Sequence, residues 1–230
     1  MKFRTILLIF AALAVLGCKK SSPDNPTRTE ILNENFADAP GSWIVDFADY
    51  PTGVETAWGL KGEIRNLPAP LNITDKGLMV SALNSSDDIF MFAKKKVVGL
   101  MPNHTYKVSM EIEFASNSQS GLVGVGGAPD AVYLKAGLTS LEPLKALDNI
   151  QHYRLNLDKG KNKETGKDIF FIDNIGNGIL EPTYKLLTKT ASFTGTTNDK
   201  GEAWMTVGTD SGYESTTTLY YTKIRVSVEP

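Results

Sequence analysis

The chain has 230 residues, with 24 basic and 26 acidic side chains, a formal net charge of −2, one cysteine and two histidines. That balance supplies no basic patch or stripe for nucleic acid. The cysteine and histidine counts exclude an intrachain disulfide, a cysteine-based zinc site and a multi-histidine metal centre, so the chain is held by its hydrophobic core, for which about 200 residues suffice.

Lys2 and Arg4 are followed by an uninterrupted apolar run over residues 6–16, then by Gly17 and Cys18. Eleven apolar residues make the h-region of a signal and are too short for a bilayer, which takes about 20. Val15-Leu16-Gly17-Cys18 resembles the lipobox of bacterial lipoproteins. The resemblance implies a signal peptide over residues 1–17, cleavage before Cys18 and acylation of its thiol and new amino terminus. The lipid then makes the membrane contact, with about 0.8 kcal/mol per buried methylene. The plainer alternative is a secretory signal with an unrelated cysteine. Lys19 and Lys20 stand where an Asp commonly marks inner-membrane retention, which points to the outer membrane of the cell envelope. Without residues 1–17 the chain carries 22 basic and 26 acidic side chains, a charge of −4. Residues 18–28 hold the lipidated Cys18 and a polar stretch with two prolines, read as a flexible tether.

Residues 29–230 read as one β-sandwich domain. Residues 77–83 and 89–98 are strand candidates, joined to the next strand by the turn at Gly99, Pro102 and Asn103. Residues 105–115 alternate cleanly, with Tyr106, Val108, Met110, Ile112 and Phe114 on one face and Lys107, Ser109, Glu111 and Glu113 on the other. The glycine-rich residues 121–127 read as a closely packed strand or bulge, since no helix follows to cradle a phosphate. Strands are expected at 131–136, 152–157, 184–193 and 202–207, and residues 140–148 admit at most a turn or two of helix. A turn with Gly201 precedes the last hairpin. Its final strand, 219–228, places Tyr221, Lys223, Arg225 and Ser227 opposite Tyr220, Thr222, Ile224, Val226 and Val228. Many short strands, Gly- and Asn-rich turns and few or no helices indicate an all-β jelly-roll sandwich.

Three constellations carry candidate chemistry. Glu111 and Glu113, Lys135, and Arg154 with Asn156 and Asp158 converge on one sheet face if their strands are neighbours. Two carboxylates there suit glycoside hydrolysis; an ion-paired solvated face is the alternative. The segment 208–215, with Asp210, Tyr213 and Glu214, and the acidic turn at Asn84, Asp87 and Asp88 suit sugar hydroxyls or a calcium ion, or are plain turns. Trp43 and Trp58 flank Asp46, Asp49 and Tyr50 in a segment broken by Pro51 and Gly53, a ligand platform if the rings are open and core packing if they are not.

Asn33-Glu34-Asn35-Phe36 with Trp43 after it, and Gly99-Leu100-Met101-Pro102-Asn103-His104-Thr105-Tyr106, resemble the opening and middle of galactose-binding-like jelly-roll domains, which include many carbohydrate-binding modules. Ala37 and Thr222 stand where those domains often carry acids that hold a structural calcium. The mature chain is also similar to uncharacterised bacterial exported lipoproteins, a likeness that implies no activity. Glu111-Ile112-Glu113 resembles the start of the catalytic strand of laminarinase-like jelly rolls, and Tyr133-Leu134-Lys135-Ala136-Gly137 a strand of alginate-lyase jelly rolls, but each lacks the residues that should follow. The sequence therefore leads to a lipid-anchored envelope protein that binds a ligand, carbohydrate first, without catalysis. An enzyme acting on polysaccharide, centred on Glu111, Glu113, Lys135 and Arg154, and a structural or adhesive protein that meets an envelope partner are the alternatives.

Overall fold

A computed structural model describes residues 27–37, 41–85 and 88–230. The signal segment, Cys18, most of the tether and Asp87 lie outside the described residues. In chain order the strands are β1 (Thr29–Asn35), β2 (Ile44–Ala48), β3 (Tyr50–Pro51), β4 (Lys61–Asn66), β5 (Lys76–Leu83), β6 (Phe90–Val97) and β7 (Thr105–Ser116). They continue as β8 (Val132–Thr139), β9 (Lys145–Leu147), β10 (His152–Leu155), β11 (Phe170–Asn174), β12 (Lys185–Thr196), β13 (Ala203–Ser211) and β14 (Thr216–Glu229). No described residue is helical, and residues 140–148 hold the short strand β9 instead of a helical turn.

Eight strands make the jelly roll. One sheet runs β12-β7-β14-β5 and the other β11-β8-β13-β6, every neighbour antiparallel. The chain crosses between the sheets at each connection except β8 to β11, which produces this order. β4 extends the first sheet beyond β5, β1 pairs with the second half of β14, and β2 extends the other sheet beyond β6. The alternation of β7 is realised as read: Tyr106, Val108, Met110, Ile112 and Phe114 face the core between the sheets, where Val132, Leu134, Ala136 and Leu138 of β8 meet them.

β14 departs from its sequence pattern. The register slips between Tyr221 and Lys223, so Leu219 and Tyr221 are buried in the core before the slip, and Ile224, Val226 and Val228 after it. Tyr221 therefore leaves the face on which plain alternation places it. The extra residue, Thr222, turns its hydroxyl to the Glu113 carbonyl (3.0 Å) and carboxylate (2.9 Å).

Loops collect at two ends. β1 begins beside Val228 and close to the start of β7, so the tether joins near one end. Residues 84–85, 88–89, 117–131, 175–184 and 212–215 lie at the other. Residues 121–127 belong to this far end, and they form an open loop with Val123 and Val125 fully exposed, not a packed strand.

The outer face of the β8-β13-β6 sheet is covered by residues 140–169, whose strands β9 and β10 join β3 in a small sheet. Leu155, Leu157 and Ile169 from this excursion pack on Ala48, Phe90 and Phe92. Close approach requires Gly137, where a Cβ would collide with the Asp168 carbonyl and Ile169, and Gly208, where it would meet Phe90 and Phe92. Gly137→Val is expected to lower stability by roughly 1–3 kcal/mol through overpacking. A lower urea midpoint, with faster proteolytic cutting within residues 156–169, checks this.

Candidate functional site

Beneath the excursion lies a chain of ion pairs. Lys135 of β8 is 0 % exposed, and its ammonium sits 3.1 Å from Asp210 of β13. It also donates to the carbonyls of Lys159 (2.6 Å), Glu164 (3.0 Å) and Gly160 (3.3 Å). Asp210 accepts from Lys159 (2.8 Å) and from the Asn162 amide (2.8 Å). Lys159 reaches on to Asp49 at 3.3 Å, and Arg154 lies 3.5 Å from Asp49, 2.7 Å from Asp88 and 3.1 Å from Asp148. Burial pulls the Lys135 ammonium below its ordinary range against the opposing Asp210 carboxylate. Burial acts the same way on Lys159, but Asp210 and Asp49 outweigh it and hold that ammonium above its ordinary value.

The network surfaces in a cleft of about 290 Å³ lined by Asp49, Asp88, Arg154, Asp158, Lys159 and Lys161, among others. Asp49 is its distinctive member. It sits between β2 and β3 with φ 60°, a left-handed conformation uncommon for a residue other than glycine but tolerated by Asp and Asn. Its amide donates to the Tyr153 carbonyl at 2.6 Å, which ties the bend to β10. The side chain is 7 % exposed, and burial raises its carboxyl above the ordinary value, partly offset by Lys159. Asp49 Oδ2 is buried near Lys159 Nζ without a well-formed hydrogen bond. Arg154 donates from Nε and Nη1, and its Nη2 has no partner among the described residues. Asp49, held by Lys159, and Arg154, with one donor uncommitted, thus line one cleft.

Several residues singled out from sequence are placed elsewhere. Glu111 and Glu113 lie on the outer face of the β12-β7-β14 sheet, paired with Arg225 (3.7 Å) and Lys223 (3.1 Å). Lys135 lies on the outer face of the other sheet, so the expected convergence of Glu111, Glu113, Lys135 and Arg154 does not form. Both strands turn their apolar residues inward from opposite sides, which sends their polar residues in opposite directions. Tyr50 is fully buried and Trp58 is 8 % exposed, their rings 6.4 Å apart in the core, so neither offers an open stacking face. Trp43 is half-buried against Phe36. Asp46 pairs with Lys145 at 2.9 Å, and Glu214 is an exposed turn residue whose amide bonds the Gly126 carbonyl. Asp210 lies within the buried strand β13 and is not in a loop. Tyr220 packs on Tyr184 outside the sheet while Tyr221 is in the core.

Asp49, Arg154, Lys135 and Asp210 are brought together, and Lys159, Asp88 and Asp148 complete the set. Asp88 belonged to an acidic turn in the sequence, whereas nothing in the local pattern distinguishes Lys159 or Asp148 from solvated charges. The residues do not fit calcium at the position suggested by the fold resemblance: Thr222 spends its hydroxyl on Glu113, and the Ala37 amide turns to Asn35. Among the described residues no group of three or more His, Cys, Asp or Glu is placed to hold a metal ion.

No protein-family model and no curated protein sequence matches the chain. Solved structures with similar folds include the enzymatically active domain of bacteriophage CBA120 tailspike protein 4, at 11 % identity and TM-score 0.38, covering 83 % of this chain and 20 % of that one. The CBM22-1–GH10 modules of Clostridium thermocellum endo-1,4-β-D-xylanase 10B match at 14 % identity and TM-score 0.41, over 88 % of this chain and 29 % of that one. A xylan-binding domain from CBM 22 matches at 12 % identity and TM-score 0.40, over 90 % and 97 %. The chain thus spans less than a third of the first two.

Asp210→Asn, which leaves two buried ammonium groups short of their counter-charge, is expected to cost roughly 3–5 kcal/mol in urea unfolding. Asp49→Asn, at a φ that Asn tolerates, is expected to change stability by about 1 kcal/mol or less near neutral pH. Because the Asp49 pKa is raised from 3.8, the folded protein holds a proton there that the unfolded chain has released, so this group's contribution is largest below pH 3.8 and declines as pH rises through its raised value. Wild type is therefore expected to lose stability relative to Asp49→Asn over that rise, as read from urea midpoints at a series of pH values.

Proposed function

We propose that this chain is an exported, lipid-anchored β-sandwich that binds carbohydrate, without turnover, in the cleft between Asp49 and Arg154. The observation that carries the reading is the cleft itself, where Arg154 keeps its Nη2 donor uncommitted among the described residues beside the carboxylates of Asp88 and Asp158. A sugar presents neighbouring hydroxyls, each both donor and acceptor. One donates to the carboxylate while its neighbour accepts from the guanidinium, and charge-assisted bonds of this kind are roughly twice as strong as neutral ones. Asp148 and Asp88 hold the Arg154 guanidinium in place, and Lys159 fixes Asp49, so little side-chain freedom remains to be lost on binding.

The position of the cleft suits an anchored receptor. Asp49, Asp88 and Asp210 lie toward the loop end, and the tether enters near the opposite end. A lipid on Cys18 would then hold the cleft outward from the membrane. β7, twelve residues long, separates the two ends by roughly 40 Å.

Titration of the full detergent-solubilised chain with oligosaccharides of xylan, cellulose, β-1,3-glucan and starch tests the reading. Binding that disappears in Asp49→Asn, with the fold retained, supports it; no binding to any of them sinks it. Release of reducing ends by the wild type would replace it with a hydrolase. Cys18→Ser is expected to abolish incorporation of labelled palmitate and to free the protein from membranes; label retained in that variant would place the lipid elsewhere.

A further inference from the structure

The two large sheets end on β1, β2, β4, β11 and β12. An edge strand presents a row of unpaired amides and carbonyls to any other strand, and proteins blunt such edges by shortness, charge or a bulge. Four of these edges are blunted. β2 and β11 have five residues each, and the register of β11 shifts between Phe171 and Asp173. β1 shifts between Glu30 and Leu32, and the six-residue β4 sets Lys61, Glu63 and Arg65 in solvent. β12 differs. It runs for twelve residues, about 40 Å, and pairs with β7 along its whole length without a shift. Its other edge has no partner strand among the described residues. Its exposed side chains, Leu186, Thr188, Thr190, Ser192, Thr194 and Thr196, carry no charge. Lys189 turns inward, where Asp173 of β11 holds its ammonium at 2.6 Å, so that charge is spent within the chain.

We propose that β12 pairs antiparallel with β12 of a second copy of this chain about a twofold axis, joining two sheets into one. Odd-numbered residues of β12 turn inward and even-numbered ones outward, so the faces of two copies match only when residues of like parity oppose each other. A twofold centred on Lys189 would set two ammonium groups against each other. Centred on Ala191, it matches nearly the whole strand: Thr190 faces Ser192, Thr188 faces Thr194 and Leu186 faces Thr196. Hydroxyl pairs of this kind are favoured across strands, and no charge opposes a like charge. Lys189 then lies opposite Phe193, and Lys185 falls beyond the matched length. A second copy thus brings a strand that fits this edge in length, phase and lack of charge. The contact uses the same strand on both sides, so it closes at two chains and does not propagate. Its axis stands perpendicular to the shared sheet, which puts the capped faces of both copies, and both Asp49 clefts, on one side of the pair. The pairing does not depend on the carbohydrate reading.

The test is sedimentation equilibrium of the full detergent-solubilised chain, at matched detergent density and several protein-to-detergent ratios. Wild type is expected to sediment as a dimer. Thr190→Lys with Ser192→Lys sets like charges across the contact and is expected to give monomers, as is Thr190→Glu with Ser192→Glu. Both positions are exposed, so urea midpoints stay close to wild type. An equimolar mixture of the two double variants is expected to dimerise again, because opposite charges then face each other. Thr190→Lys alone keeps the test open if a double variant does not fold, and Lys61→Glu, on the opposite edge, is expected to leave the dimer intact. Wild type that is monomeric at every ratio overturns the pairing. A dimer that persists in the folded lysine variant overturns it too, as does failure of the mixed variants to associate or loss of the dimer in Lys61→Glu.

Discussion

Lys135 places an ammonium group on the outer face of a sheet and then denies it water. Burial of an unpaired charge is costly enough that the surrounding chain must answer it. The answer here is the Asp210 carboxylate together with three backbone carbonyls from residues 159–164. Those carbonyls belong to the excursion that covers the sheet, so satisfying the ammonium also pins the excursion. Asp158 and Asp168 stiffen the same loop: Asp158 accepts from the Gly160 and Lys167 amides, and Asp168 accepts from the amide of Asp158. Gly137 and Gly208 leave the room that this arrangement needs. Lys159, drawn in to share Asp210, carries the network to Asp49 and so to the cleft.

The two outer faces of the sandwich consequently differ in character. One is capped, with its charges paired below the surface and reaching solvent only at the Asp49 cleft. The other is open, its charges paired across strands and its centre lined by small hydroxyls. At the Thr222 bulge the second face changes phase. Beyond it Arg225 and Ser227 point outward, while Tyr221 before it remains in the core. One extra residue in β14 thus lets a single strand serve the core along its whole length and still supply a polar outer row.

Asp49 concentrates features that are unfavourable for folding alone: a left-handed backbone, a buried carboxylate and an acceptor without a well-formed partner. Such positions persist where the surrounding structure over-determines them, and they cluster at functional sites. Tyr153, Lys159 and Arg154 provide that over-determination here.

The sequence by itself determined the all-β class, most strand positions and the inward face of β7, because a period of two is a local property and apolar side chains answer it in the same way wherever the strand lies. It also singled out Asp49, Arg154, Lys135 and Asp210 as chemically interesting residues. What it assigned to them was in part mistaken. Glu111 and Glu113 were grouped with Lys135 because alternation says which side of a strand a residue occupies but not which sheet the strand joins. Trp58 and Tyr50 stay open in the sequence between ligand platform and core packing, because the breaks at Pro51 and Gly53 signal a turn, and a turn does not reveal that its rings fold back into the core. The tertiary structure alone decided the pairing of Lys135 with Asp210, the enlistment of Lys159 and Asp148, and the bulge at Thr222. Each of these joins residues distant in the chain, and their proximity follows from the crossing order of the jelly roll, which no local pattern encodes.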